Sequence, residues 1–183
     1  KFWAQWRWAS RQPDSYYFAD LDELMDLAAA NRLSVTINTI FDVAPGWLYL
    51  EFPDCKMVRA DGLVLEPRTV ACRQIGGAPG PCYNHPEAAR ARVDFLENLA
   101  SRYANHAAMG MWDVWNEPEW CISLRDPREE SLLCYCENCR STFVAWLRNR
   151  YGSVSRLNEV WGRCYSAWED VELPRDRSTF SDM

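Results

Sequence analysis

An Asn-Glu pair, Asn116-Glu117, closes the run Trp112-Asp113-Val114-Trp115, and Pro118 follows it. An apolar, aromatic run of this kind reads as a buried strand, which puts Glu117 at the strand's mouth. A carboxyl group among indole rings and a proline is partly desolvated there, which disfavours its charged form and raises its pKa. Such an acid suits proton donation near neutral pH. Asn116 is placed to hydrogen-bond a sugar hydroxyl beside the bond being cleaved, a contact that strengthens toward the transition state. The pair therefore points to cleavage of a glycosidic bond. A bare Asn-Glu-Pro is more often a plain turn. Here the preceding strand, and the helix before it, favour the functional reading.

The second group is Cys134-Tyr135-Cys136-Glu137-Asn138-Cys139, three thiols within six residues at the start of a helical pattern. That spacing lets three thiolates converge on one tetrahedral metal, and zinc suits sulfur ligands. A helix N-terminus also favours the thiolate form that binds metal. By spacing alone the fourth ligand is open among Cys72, Cys82, Cys121 and Cys164, with Cys55 less well placed. An all-sulfur site leaves no position for substrate, so the expected metal is structural. Disulfides in an oxidising compartment are the competing reading. His85 and His106 flank a helix, and nothing marks either as a ligand or base.

The elements that must carry these groups follow the grammar strand, helix, strand, helix, strand. Phe2 to Trp8 reads as a strand and its exit. Asp20 and Glu23 are a capping pair for a helix through Ala30, with Leu21, Leu24 and Ala28 on one face. Leu33, Val35 and Ile37 alternate as a strand, and Asp42 to Trp47 is its exit loop. Residues 52–83, rich in Gly and Pro, read as a long loop. Pro86 opens a helix with an apolar stripe of Ala89, Val93, Leu96, Ala100 and Tyr103. Ala108 to Trp115 is the next strand. Helices over Glu137 to Tyr151, with Phe143 and Leu147 inward and Gly152 as the stop, and over Val154 to Trp161 complete the reading. Trp146, Trp161 and Trp168 are read as packing residues, whereas Trp47 and Trp120, in strand-exit loops, are candidates for the sugar site.

That order predicts an α/β fold with parallel strands whose functional loops follow the strands, as in a (β/α)8 barrel. A complete barrel takes about 250 residues. The 183 residues therefore read as one unit, a partial TIM barrel truncated after about the fourth strand and the helices that follow. Unpaired barrel edges predict association if these residues are expressed alone. Twenty basic against 26 acidic residues give a formal charge of −6 with no basic cluster, which disfavours nucleic acid as a partner. No apolar stretch is long enough for a membrane span and no signal-peptide pattern is evident, so the expected location is cytoplasmic. Ten tryptophans fit a sugar site as well as a core.

With Glu117 and the thiols in place, the chain resembles the N-terminal part of a family 42 glycoside hydrolase, a group of zinc-containing β-galactosidases. The resemblance runs through Ala44-Pro45-Gly46-Trp47-Leu48, Leu99-Ala100-Ser101-Arg102-Tyr103, Asn116-Glu117, the thiol cluster and Leu157-Asn158-Glu159-Val160-Trp161-Gly162. It implies that Glu117 is the acid/base, following the fourth barrel strand, and that Asn116 binds the sugar. It also implies a zinc site of Cys82, Cys134, Cys136 and Cys139. Arg73 is the nearby arginine where the family has a substrate contact, although a Gly/Pro insertion changes its spacing. The implied substrate is a terminal β-galactoside or a related oligosaccharide, and the full-length assembly a homotrimer.

Many family members carry Tyr after the Asn-Glu pair. This chain has Pro118-Glu119-Trp120, a form shared with other barrel glycosidases acting on glucans or mannans. The family's nucleophile is a second glutamate after the seventh strand, expected beyond these residues. Glu119, two residues from Glu117 on the same loop, is no such partner, and Glu51 and Glu66 lack a supporting motif. The 183 residues alone are thus expected to be inactive. A noncatalytic carbohydrate-binding barrel is the alternative from another class.

Overall fold

The computed structural model describes residues 1–67, 79–116, 121–122 and 131–175. They belong to two compact units, Lys1–Lys56 with Leu65–Glu119, and Met57–Val64 with Trp120–Met183. No helix among the described residues is long and apolar enough to cross a membrane.

In the first unit, β1 (Phe2–Gln5), β2 (Val35–Ile40) and β3 (Met109–Asp113) form a parallel sheet in that order. Phe2 lies opposite Ile37 and Gln5 opposite Ile40, while Asn38 lies opposite Asp113 after a register shift between Val35 and Thr36. Parallel neighbours need a crossover connection, and helices supply it. Between β1 and β2 come α1 (Trp6–Ala9) and α2 (Ala19–Ala30); between β2 and β3 come α3 (Gly46–Glu51) and α4 (Pro86–Tyr103). All three strands consequently end on the same side, where a site of this architecture belongs. The central strand is buried on both faces, with Val35, Ile37, Asn38 and Thr39 all out of solvent. The core packs Trp6, Met25, Ile37, Leu48, Phe95, Leu99 and Tyr103.

Several details differ from the sequence reading. The face of α2 that is buried runs Leu21, Met25, Ala28, and Leu24 is exposed. Its N-cap is Phe18, without a side-chain cap bond, so Asp20 and Glu23 form no capping pair. The Phe18 ring packs on Tyr103 and Phe95 at 6.1 and 6.5 Å, and this tertiary contact, rather than a cap, fixes where the helix starts. Leu33 is exposed and precedes the strand, because its N–H is bonded back to the Ala28 carbonyl at 2.9 Å.

A further difference lies in α4. Pro86 does occupy its first turn, after His85 as N-cap. The buried stripe, however, is Ala88, Arg92, Phe95, Leu99 and Tyr103, and Val93 and Ala100 are exposed. The buried face is rotated by about one position from the expected stripe, because it takes in the charged Arg92.

In the second unit, β4 (Cys121–Ile122) pairs antiparallel with β5 (Ser131–Leu132). Helices α5 (Glu137–Tyr151) and α6 (Val154–Trp161) have the limits that the sequence predicts. Gly152 ends α5 at φ 73°, a backbone angle that favours glycine, and the Ser153 hydroxyl caps α6 by accepting from Arg156 N. Val144, Leu147, Leu157 and Val171 form the core, with Phe143, Trp161 and Trp168 packed on it. Trp146 stays largely exposed, stacked on Phe143 at 6.2 Å.

Candidate active site and cysteine cluster

The exits of the three parallel strands are tied to one another by backbone. Arg7 N–H donates to Val43 O at 3.1 Å, and Asn116 N–H donates to Thr39 O at 3.0 Å. From the buried strand β2, Asn38 Nδ2 donates to Asp113 O at 3.3 Å and the Thr39 hydroxyl donates to Val114 O. Three of these bonds hold the end of β3 and Asn116 against β2, and the fourth ties the β1 exit to the β2 exit. Asn116 itself is half-buried.

Trp115, next to Asn116, is braced by two rings, Tyr83 at 4.8 Å and Phe41 at 5.8 Å between centroids. Beneath them lies Arg92, whose guanidinium stands 4.4 Å from the Tyr83 ring, 5.5 Å from Phe41 and 6.0 Å from Trp6. The Tyr83 hydroxyl donates to Asp42 Oδ1 at 3.1 Å. Burial, then the Asp42 carboxylate, pushes the tyrosine pKa well above its ordinary range, so at neutral pH it remains a donor. Burial lowers the Arg92 pKa, opposed by Tyr83, Cys82, Tyr49 and Asp42.

Asp42, Tyr83 and Arg92 were not candidates from the sequence. Asp42 was readable as the residue after a strand. Arg92 was readable only by accepting a charge in an otherwise apolar stripe.

Of the other sequence candidates, Glu117, Trp120 and Arg73 lie outside the described residues. Trp47 is half-buried against the core, and its indole N–H donates to Ser10 O at 3.0 Å. Its polar group is therefore committed, and only its ring face is left to offer a sugar.

In the second unit, Cys136 is the N-cap of α5 and Cys139 lies in its first turn, both buried. Cys134 reaches them from the segment before the helix, and the three sulfurs lie within 4.8 Å of one another. Sulfurs of a tetrahedral zinc site with Zn–S of about 2.3 Å stand about 3.8 Å apart, so these thiols fit such a centre. Val58 N–H donates to Cys134 Sγ at 3.2 Å, an interaction that stabilises a thiolate, and Tyr135 N–H returns to Val58 O at 2.8 Å. In the first unit Cys82 is buried, and its sulfur accepts from Asn84 N–H at 3.4 Å. Cys164 is exposed, and Cys55 is buried. Cys72 and the side chain of Cys121 are outside the described residues.

The family model described as β-galactosidase, glycoside hydrolase family 42, matches residues 3–183. The chain belongs to that family. Among curated relatives, β-galactosidase LacZ of Heyndrickxia coagulans is 33% identical over 182 residues, covering 96% of this chain and 25% of its own. The β-galactosidase bgaB of Geobacillus kaustophilus is 28% identical over 180 residues, 94% of this chain and 24% of its own. The crystal structure of the cold-adapted β-galactosidase of Rahnella sp. R3 superposes with a TM-score of 0.74 at 24% identity, over 93% of this chain and 23% of that one. The chain thus spans about a quarter of the length of these relatives. Its fold is that of a family 42 TIM barrel in part, in agreement with the parallel sheet and its helical crossovers.

Proposed function

We propose that the full-length protein is a retaining β-galactosidase and that residues 1–183 form the N-terminal part of its catalytic barrel. Glu117 donates a proton to the departing glycosidic oxygen, a second glutamate outside these residues attacks the anomeric carbon, and Glu117 then activates the water that releases the sugar. Asn116 hydrogen-bonds a hydroxyl of the sugar held there, with Trp47, Trp120 and Arg73 as further substrate contacts. The reading rests above all on Asn116, at the C-terminal exit of a parallel strand in a family 42 chain, with its N–H held to Thr39 O at 3.0 Å.

Cys134, Cys136 and Cys139, with Cys82 as fourth ligand, would hold a structural zinc. Such a metal would take no part in bond cleavage. Support comes from the convergence of three thiols in one unit, and from the backbone N–H groups that donate to Cys82 and Cys134.

The test is hydrolysis of a panel of nitrophenyl glycosides by the full-length protein, with Glu117→Ala alongside. Turnover of the β-galactoside that collapses in the variant is the expected result. Turnover of another β-glycoside instead, which Pro118 would favour, keeps the mechanism and moves the sugar. Absence of turnover on every glycoside in a folded protein would leave a carbohydrate-binding barrel.

A further inference from the structure

We propose that Arg92 is a positioning residue for the acid/base site, acting through the Tyr83 and Phe41 rings on Trp115 and thereby on the strand exit that carries Asn116; this rests on the glycosidase reading above. Arg92 projects from the second turn of α4 and is 8% exposed. Its guanidinium lies over both rings that brace Trp115. On its other side, Nη2 donates to Pro81 O at 3.5 Å, next to Cys82. One planar cation therefore touches the segment that precedes α4 and the aromatic stack under the β3 exit.

The energetics argue that this arginine is not there for stability. Its Nε is buried without a hydrogen-bond partner among the described residues. Taking a guanidinium out of water carries a desolvation cost that stacking repays only in part, and an apolar side chain of similar length would fill the space more cheaply. A planar, delocalised group can lie flat on two rings at once, which neither an ammonium nor a flexible thioether does. The ring stack in turn decides where Trp115 sits. Asn116 follows it directly, and Glu117 is one residue further.

A misplaced general acid leaves a signature that a general loss of folding does not. Leaving groups that depart as stable anions need little protonation, whereas poor ones depend on it. In the full-length protein, Arg92→Met and Arg92→Lys are to be assayed on a dinitrophenyl β-galactoside and on an alkyl β-galactoside, with Glu117→Ala as reference. A displacement of about 1 Å costs on the order of 100-fold in a positioned step, so the expected loss on the alkyl substrate is about 10- to 100-fold in kcat/KM. On the dinitrophenyl substrate it should stay within about threefold, since protonation contributes little there.

The melting temperature of Arg92→Met should match or exceed that of the parent, and Arg92→Lys carries the test if the Met variant does not fold. An equal loss on both substrates, or none, while Glu117→Ala shows the split, overturns the role of Arg92. A Glu117→Ala variant without the split overturns the site reading itself, and the role of Arg92 with it.

Discussion

The Tyr83 hydroxyl donates to Asp42 Oδ1 at 3.1 Å, joining the residue after Cys82 to the exit of β2, 41 positions earlier in the chain. The two segments come this close because Gly80 carries no side chain. A Cβ there would stand 2.8 Å from both Asp42 Cα and Phe41 O, backbone atoms that cannot swing away.

Gly80→Ala should accordingly destabilise the protein by about 1–3 kcal/mol, the usual cost of overpacking. Gly46→Ala is the matched control, since a Cβ at Gly46 meets nothing within 4 Å. Thermal melts of both variants check this, and equal melting temperatures would count against the close approach.

The pair Arg102–Asp22 predicts an acid-dependent contribution to stability. Hydrogen bonds from Arg102, with Nε 2.6 Å from Oδ1, and from Tyr103 at 2.7 Å hold the Asp22 carboxyl below the usual aspartate range. A carboxylate lowered in the folded state contributes fully above its unfolded pKa of about 3.9 and loses that contribution as pH falls through the folded value. Asp22→Asn should therefore lower stability by about 1 kcal/mol at pH 7, a modest figure because the pair is partly exposed. The gap to the parent should close as the pH drops below about 4, which melts at a series of pH values would show.

Thiol chemistry separates the cysteines. Burial, then the Asp54 carboxylate, pushes the Cys55 thiol up to about 11, so it stays protonated and shielded at pH 8. Cys164 is exposed. Alkylation of the native protein at that pH, mapped by peptide mass analysis, should mark Cys164 and leave Cys55 unmarked until the chain is unfolded.

Removal of metal should extend that labelling. With zinc bound, Cys134, Cys136 and Cys139 resist alkylation; after chelation they should react, and the melting temperature should fall. Cys136→Ser should lower both the zinc content and the stability, because binding free energy at a structural site is folding free energy. A metal-free protein of unchanged stability would sink the structural zinc.

Much of the architecture was readable where local chemistry is decisive. Helices α5 and α6 have the limits that the sequence predicts, with Gly152 as the stop of α5, because a helix end depends on a few adjacent residues. Pro86 opening α4 and the parallel strand grammar are of the same kind. The Asn116 position at a strand exit followed from the aromatic run before it, and the three converging thiols followed from spacing that a single helix start can bring together.

What escaped the sequence depends on partners distant in the chain. Leu24 and Met25 are both apolar, and only the sheet behind α2 selects Met25. Arg92 reads as a solvent residue until the rings of Phe41, Tyr83 and Trp6 are seen around it. Local pattern alone therefore established the strand–helix grammar, the strand exit with Asn116 and the thiol cluster. The Tyr83–Asp42 bond and the buried cation under Trp115 came only from the folded chain, because their free energy resides in contacts that exist once the segments after β2 and β3 have met.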